Sequence, residues 1–386
     1  MHKVTFYPLG SKQNADTTLI DLDNGKKLLF DFANVANLND DDERGIDLAS
    51  VLNDDLEDAG KGGYDITAFT HSDDDHTRGA DEFFYFDHSD KHQSKGRRTF
   101  GTLWVPANTI TESRNDLTTA SKLIQAEARH RLKKGYGVRV FSRPKKLESW
   151  LDKYGLTLDS RREFITDAGQ LAPDLTLEND AVEFFVHAPF AWRQDQNTVI
   201  DRNGDSLVMQ ATFTFNNELT RFFLGADVAH GPLSEIVEIT KLKKNEDRLL
   251  WDIMKLPHHC SYKTLGPERG TNKTEPVDNV QWLFETQGQS RCIIVSSSKV
   301  IPAQGTKADK DVQPPHRQAA NYCREVVNKK DGEFIVTMEH PRQSDPKPIE
   351  VEISGLGATL KKKQYVGAAA VTSVAAPRAG FRRSSQ

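Results

Sequence analysis

Apolar and polar residues alternate over Val4–Tyr7, Thr17–Asp21 and Lys27–Asp31, and Asp23-Asn24-Gly25 carries an Asn-Gly hairpin signal between the last two. The chain is therefore expected to open with a β-meander. From Asp40 to Asp58 the sequence is acidic, but Ile46, Ala49, Val51, Leu52 and Leu56 form an approximate helical stripe. The carboxylates there are expected to be the solvated face of a helix. Tyr64–Thr70 and Thr102–Pro106 are expected strands. A mostly helical region follows at about 111–170, with a helix over Leu117–Lys134 that ends at Gly135 and Gly137, and it is taken as an insertion. Strands return at Val182–Phe185, Ser206–Phe215 and Thr220–Gly225, the last two joined by an Asn216-Asn217 turn. Beyond these, helices are expected over Leu233–Lys243 and His316–Asn328, and strands at Leu249–Leu256, Cys292–Ser296, Phe334–Met338 and Ile349–Ile353. No internal repeat is visible.

Composition bounds this picture. The 386 residues are enough for one elaborated domain or two smaller ones, and an α/β domain over 1–360 followed by a flexible basic tail at 361–386 fits the pattern best. With 28% charged residues, a net charge of -5 and no run of eighteen apolar residues, a soluble protein without membrane contact is expected. Met1-His2-Lys3-Val4 lacks the layout of a secretion signal, so a cytoplasmic location is the default. Cys260, Cys292 and Cys323 are odd in number and have no CxxC spacing, which argues against a disulfide framework or a zinc ribbon.

The densest chemistry lies in Phe69-Thr70-His71-Ser72-Asp73-Asp74-Asp75-His76-Thr77-Arg78-Gly79. Four candidate metal ligands, His71, Asp73, Asp75 and His76, stand there directly after a strand. On an extended exit, side chains at i and i+2 point the same way, which brings His71 and Asp73 together. Asp75 and His76 follow where a helix can begin. Two ligand pairs on opposite sides of one turn suit two adjacent ions. The bland alternative is a solvated acidic turn, but Gly79 and the apolar Phe83-Phe84 that follow argue for a packed loop. Further candidates end later strands: His187 after Val182–Val186, Asp227 after Phe222–Gly225, and His258-His259 after Ile253–Pro257. Singly, each could be a satisfied polar group or a helix cap. Together they suggest one site.

In this combination the sequence resembles the metallo-β-lactamase superfamily, whose first motif has the form HxHxDH, and within it the ComEC-like branch of hydrolases. The resemblance runs from Lys3 to about Glu325. Asn14–Ile20 with Leu28–Asp31 is similar to the family's opening hairpin and its Asp. Asn203–Val208 looks like an N-x-x-S-hydrophobic segment, Leu224–Asp227 stands in place of a GD motif, and Leu256–Ser261 resembles PHHGS. The resemblance implies an αββα sandwich with two divalent metal ions, zinc or manganese, along one edge. His71, Asp73 and His187 would hold one ion; Asp75, His76 and either His258 or His259 the other; Asp227 would bridge them. The superfamily's PGHG pattern aligns better with His259, which leaves His258 for the substrate. Asp31 would orient the motif loop. Asp75 and His258 are the candidate catalytic residues: the resemblance implies that Asp75 positions the nucleophile, and proximity in the sequence suggests His258, Ser261 or Tyr262 as donor to a substrate oxygen. Two positions depart from the family: Asp73 replaces a His, which makes manganese, iron or magnesium more competitive with zinc, and Cys260 replaces a Gly.

A metal-dependent nuclease or phosphodiesterase is the function this implies. The basic run Arg129–Lys134, continued by Arg139, Arg143, Lys145 and Lys146, and the cations of the tail favour a nucleic acid or another phosphodiester as substrate. Two alternatives stand beside it: a hydrolase of small esters or thioesters, and a non-catalytic or conditionally active subunit with protein partners. His316 is balanced between a site residue and an ordinary helix-start His, while His88, His92, His130 and His230 are expected at the surface.

Overall fold

The computed structural model describes residues 1–197 and 200–361, so the tail expected at 361–386 lies, beyond Lys361, outside the described residues. Seven strands come first: β1 His2–Phe6, β2 Thr18–Asp21, β3 Lys27–Phe30, β4 Gly63–Ala68, β5 Thr99–Pro106, β6 Val138–Phe141 and β7 Ile165–Thr166. Six more follow, β8 Val182–Ala188, β9 Val208–Phe215, β10 Glu218–Leu224, β11 Trp251–Lys255, β12 Gly288–Ser296 and β13 Glu333–Val336, before a closing pair, β14 Ile349–Ser354 and β15 Gly357–Leu360.

These strands form two sheets, one ordered β15-β14-β1-β2-β3-β4-β5-β6-β7 and the other β13-β12-β11-β10-β9-β8. The first is an antiparallel meander up to β3 and parallel from β3 to β7. In the second, β10 to β13 are parallel while β8 and β9 run as antiparallel neighbours. Both sheets are buried on both faces, and the strands show it by alternation. Leu28 and Phe30 of β3 enter the core between the sheets, whereas Leu29 enters the core under the outer helices. Aromatic rings fasten the inner core. Phe30 stacks on Phe184 across the sheets at 5.7 Å between centroids, and Trp104 meets Phe184 edge-on at 5.4 Å.

Helices cover the two outer faces. Leu48–Asp58 buries Leu48, Leu52 and Leu56, one every fourth residue, and its first turn is capped by the Asp47 carboxylate accepting from Ser50 N–H. Fully burying a leucine is worth roughly 1.5–3 kcal/mol, so this stripe outweighs the poor helix propensity of the surrounding aspartates. On the second sheet, His230–Leu242, Asp278–Glu285 and Arg317–Asn328 pack into a third core around Phe223, Met254 and Ile294. The architecture is the expected αββα sandwich.

The region at 111–170 departs from expectation. It holds the helices Thr119–Lys134 and Lys145–Asp152, but also β6 and β7, which extend the first sheet in parallel. Val138-Arg139-Val140-Phe141 is too short to announce itself in the pattern, yet every residue of it is buried. This region is thus a sheet extension with crossover helices. No helix among the described residues is long and apolar enough to cross a membrane.

Candidate metal centre

The C-terminal ends of parallel strands in facing sheets meet at one rim, where strand-end loops of α/β folds usually build their sites. β3 delivers Asp31, the loop after β4 delivers residues 69–79, β10 leads to Asp227 and β11 to Pro257–Ser261. Close approach of these loops is enforced locally. A Cβ on Gly225 would stand 2.3 Å from Pro257 Cγ, so only glycine lets the β10 and β11 exits touch. Across that contact His258 N–H donates to the Ala226 carbonyl at 3.0 Å. The β11 exit is itself wound tightly, since His258, His259 and Cys260 all have left-handed backbone angles, with φ of 53°, 50° and 64°. Non-glycine residues hold such angles at a cost of order 1 kcal/mol or more each, a feature that clusters at functional sites.

Asp75, His76, Asp227 and His259 converge so that one ligand atom from each lies within 4.8 Å of the others. His76 Nε2 faces Asp227 Oδ1 at 3.4 Å, and His259 Nε2 faces Asp75 Oδ2 at 3.2 Å and Asp227 Oδ2 at 3.4 Å. Hydrogen bonds behind the rings set which nitrogen each offers. His76 Nδ1 is 2.8 Å from Asp31 Oδ2, and His259 Nδ1 is 2.8 Å from the Ser297 carbonyl. With the Nδ1 proton held there, each ring presents Nε2 inward. Asp31 also accepts from Thr70 N–H at 2.7 Å and from Thr70 Oγ1 at 2.8 Å, which fixes the start of the motif loop.

The carboxylates make the electrostatics of the group favour positive charge. Burial alone would lower the pKa of both imidazoles, but the carboxylates outweigh it: Asp31 and Asp227 hold His76 well above its ordinary value, and Asp227 and Asp75 push His259 up to about 10. For Asp75 and Asp227 burial acts upward, yet the two imidazoles leave both carboxylates below the usual range. Three carboxylates thus favour a second proton on each of two rings. A divalent cation would supply the same charge and release those protons. The fit is supported by two buried atoms in the group without any hydrogen bond, His76 Nε2 and Asp227 Oδ1. Lys255, buried beneath the group, pairs with Asp16 and offsets part of its negative charge.

The remaining sequence candidates fall differently. His71 lies beside the group, its ring 4.0 Å from that of His76; its Nδ1 meets Thr70 Oγ1 at 3.1 Å, and its buried Nε2 has no hydrogen bond. Asp73 turns to Arg202, with Oδ1 3.0 Å from Nη1. His187 is not brought to the group: its Nε2–H donates to the Arg248 carbonyl at 2.9 Å and its ring sits between Phe185 and Phe223. Alternation on β8 explains this, because Phe184 and Val186 face the inner core and the next residue turns to the helix side, past a register shift between Val186 and Ala188. Burial brings the His187 pKa down to about 4, the mark of a neutral packed ring. Of the paired histidines, His259 joins the group. His258 stands 6.5 Å from it, ring to ring, with a buried Nδ1 that has no partner. Cys260 is fully buried and its thiol is pushed up to about 12, so it is a packing residue. His316 clasps the same loop: its N–H donates to the Cys260 carbonyl at 3.0 Å and its Nδ1 accepts from Tyr262 N–H at 3.3 Å.

Sequence reasoning missed Arg202, Ser297 and Lys255. Ser297 acts through its carbonyl and leaves no side-chain signal. Arg202 could have been sought as the cation that Asp73, Glu112 and Asp116 require.

The basic run also changes meaning. Arg129 donates to the Ile110 and Glu112 carbonyls, Arg131 pairs with Glu127 and Asp87, and Arg139 pairs with Asp174. These guanidinium groups hold the sheet extension together and are not displayed to a ligand.

No family model and no curated protein matches the sequence. Similar solved structures include a diphosphatase of the PhnP family (11% identity, 78% of this chain and 87% of that one, TM-score 0.32). Unliganded yeast PDE1 is another (9% identity, 87% and 96%, TM-score 0.43). A third is the metallo-β-lactamase SMB-1 with mercaptoacetic acid (12% identity, 65% and 75%, TM-score 0.29).

Proposed function

We propose that the chain is a metal-dependent hydrolase of the metallo-β-lactamase type, acting on a phosphodiester. The observation that carries this reading is the convergence of Asp75, His76, Asp227 and His259, with inward-facing Nε2 atoms, at the rim of the sandwich. A divalent ion held there supplies Lewis acidity and water acidic enough to act near neutral pH. Asp75 is the one member of the group that is substantially open to solvent, 37% by side chain against 4% or less for the others. It is therefore placed to take the proton of an attacking water. Asp31 and the Ser297 carbonyl keep His76 and His259 in one tautomer throughout. His258, its ring 6.5 Å from that of His259, is the neighbouring imidazole that would donate to a substrate or leaving-group oxygen. Carboxylate-rich surroundings favour hard ions and hard phosphate oxygens, and this supports the phosphodiester as substrate, with manganese competing against zinc. The resemblance to the ComEC-like branch, read from the motifs, points to nucleic acid among such substrates.

One observation favours a second reading. Within the basic run that suggested a polyanion, Arg129, Arg131 and Arg139 are taken up by internal carbonyls and carboxylates while Lys133, Lys134, Arg143 and Lys145 stay exposed, a reduced positive patch that a small ester or thioester would not require. Both readings are tested by assaying metal-reconstituted protein on bis-p-nitrophenyl phosphate, single-stranded DNA and p-nitrophenyl acetate. Metal-dependent cleavage of the diesters that vanishes in Asp75→Ala is expected; turnover of the acetate alone would favour the second reading, and turnover retained in the variant would exclude the mechanism.

A further inference from the structure

The Asp73 side of the site is built unlike the other. Arg202 lies there, 13% exposed by side chain, and its guanidinium is engaged on three carboxylates at once. Nη1 is 3.0 Å from Asp73 Oδ1, Nη2 is 2.7 Å from Glu112 Oε1 and 2.8 Å from Asp116 Oδ1, and Nε is 3.1 Å from both Glu112 oxygens. Glu112 is itself buried, at 1% side-chain exposure, and also receives Arg114 at 2.7 Å. A planar fork held on so many oxygens is fixed in place, and a buried carboxylate behind it makes departure costly.

The other groups assigned to a first ion do not assemble. His187 is turned to the helix side and bonded to the Arg248 carbonyl. His71 Nε2 is 3.7 Å from Asp73 Oδ2, so the place offers one neutral nitrogen and one carboxylate whose charge is already matched. Apart from Asp227, shared with the neighbouring group, a divalent ion there would have two ligands and a guanidinium as neighbour.

We infer that the Arg202 guanidinium stands in for the first of the two ions, so that the chain holds a single divalent ion, in the Asp75–His76–Asp227–His259 group. This rests on the metal-dependent reading above. It assigns two consequences to particular residues. Asp73 is a partner of Arg202 and not a metal ligand, and His71 Nε2 remains available to the single ion or to a substrate atom beside it. Positive charge on that side comes from a side chain that cannot be chelated away, and it stays in place whatever the metal supply.

The experiment is metal content by mass spectrometry on untagged protein, reconstituted with manganese and freed of loose metal, together with the manganese electron paramagnetic resonance spectrum. One equivalent with the spectrum of an isolated ion is expected, unchanged in Asp73→Asn. Arg202→Ala, which frees Asp73, is expected to take up a second, weaker equivalent. Two equivalents and an exchange-coupled spectrum in the wild type, with one lost in Asp73→Asn, would overturn the inference while leaving the hydrolase reading intact; no bound metal at all would overturn the hydrolase reading itself. If Arg202→Ala does not fold, because Glu112 is left buried without its partner, the wild type and Asp73→Asn still decide the question. A well-folded Arg202→Ala that stays at one equivalent would show that Arg202 is not what keeps the second ion out.

Discussion

Two strand ends of the second sheet, β8 and β11, each deliver a buried histidine, and they differ in everything that matters for chemistry. His259 leaves β11 on a left-handed turn, gives its Nδ1 proton to the Ser297 carbonyl and aims Nε2 at Asp75 and Asp227. His187 ends β8 in regular alternation, gives its Nε2 proton to the Arg248 carbonyl and packs between two phenylalanines. The first ring is raised to about 10 by carboxylates; the second is lowered to about 4 by burial. Identity and strand-end position do not by themselves bring a ring into the group. What does is backbone strain that turns the side chain toward the rim, and a hydrogen bond that leaves the right nitrogen free.

The largest expected effect separates the two rings by function. His259→Ala is expected to lose bound metal and to reduce diester turnover by at least ~100-fold, the scale on which even groups supporting a metal ligand act. His187→Gln is expected to keep both within a few-fold. Metal analysis and steady-state rates on the two variants, with circular dichroism to confirm the fold, check the contrast; equal metal loss in both would mean that His187 reaches the ion after all.

That contrast also shows where the sequence is legible. The motif loop at 71–76 could be read because its candidate ligands are local, and Asp227 and the His258-His259 pair because they stand shortly after strands whose ends reach the rim. His187 could not be placed by the same rule, since strand-end position alone does not tell on which face of β8 the ring falls, and alternation with Phe184 and Val186 sets it on the helix side. The opening meander followed from apolar alternation and the sandwich from the motif resemblance, whereas β6, four residues long and containing Arg139, was hidden until its pairing with β5 buried it. The contact of Arg202 with Asp73 spans 129 positions, and only the assembled fold brings the two together. Part of the basic run, Arg129, Arg131 and Arg139, reads as surface charge for a related reason. A guanidinium on a surface and one spent on a buried carboxylate look alike in sequence.

The second prediction sharpens the comparison through pH. His187 has a folded pKa near 4 and an unfolded one near 6.5, so between these values the unfolded chain binds more protons than the folded one. Its contribution to stability is therefore present above about pH 6.5 and lost as pH falls through the window toward 4. The full shift corresponds to about 3 kcal/mol as an upper bound. Denaturant melts at pH 7 and pH 4.5 are expected to show a smaller acid loss in His187→Gln than in the wild type. An identical loss would place the acid sensitivity elsewhere in the chain.

The smallest expected effect concerns the turn that makes His259 different. Cys260, at φ 64°, occupies a backbone region that glycine enters freely and a residue with a Cβ enters at a cost of roughly 1–2 kcal/mol. Cys260→Gly should relieve that strain. It also removes a fully buried thiol from the third core, and it leaves the unfolded chain with more freedom to lose. These terms are similar in size and opposite in sign. The net change in stability is expected to stay within about 1 kcal/mol, with metal content and turnover unaltered. A loss of several kcal/mol would mean that the packing of the thiol outweighs the strain. A fall in metal content at unchanged stability would show that the Cys260 side chain helps to hold the turn in the shape that aims His259 at the ion. Cys260→Ala separates the two, because it keeps the Cβ and its strain while removing only the sulfur; it is expected to be the less stable variant.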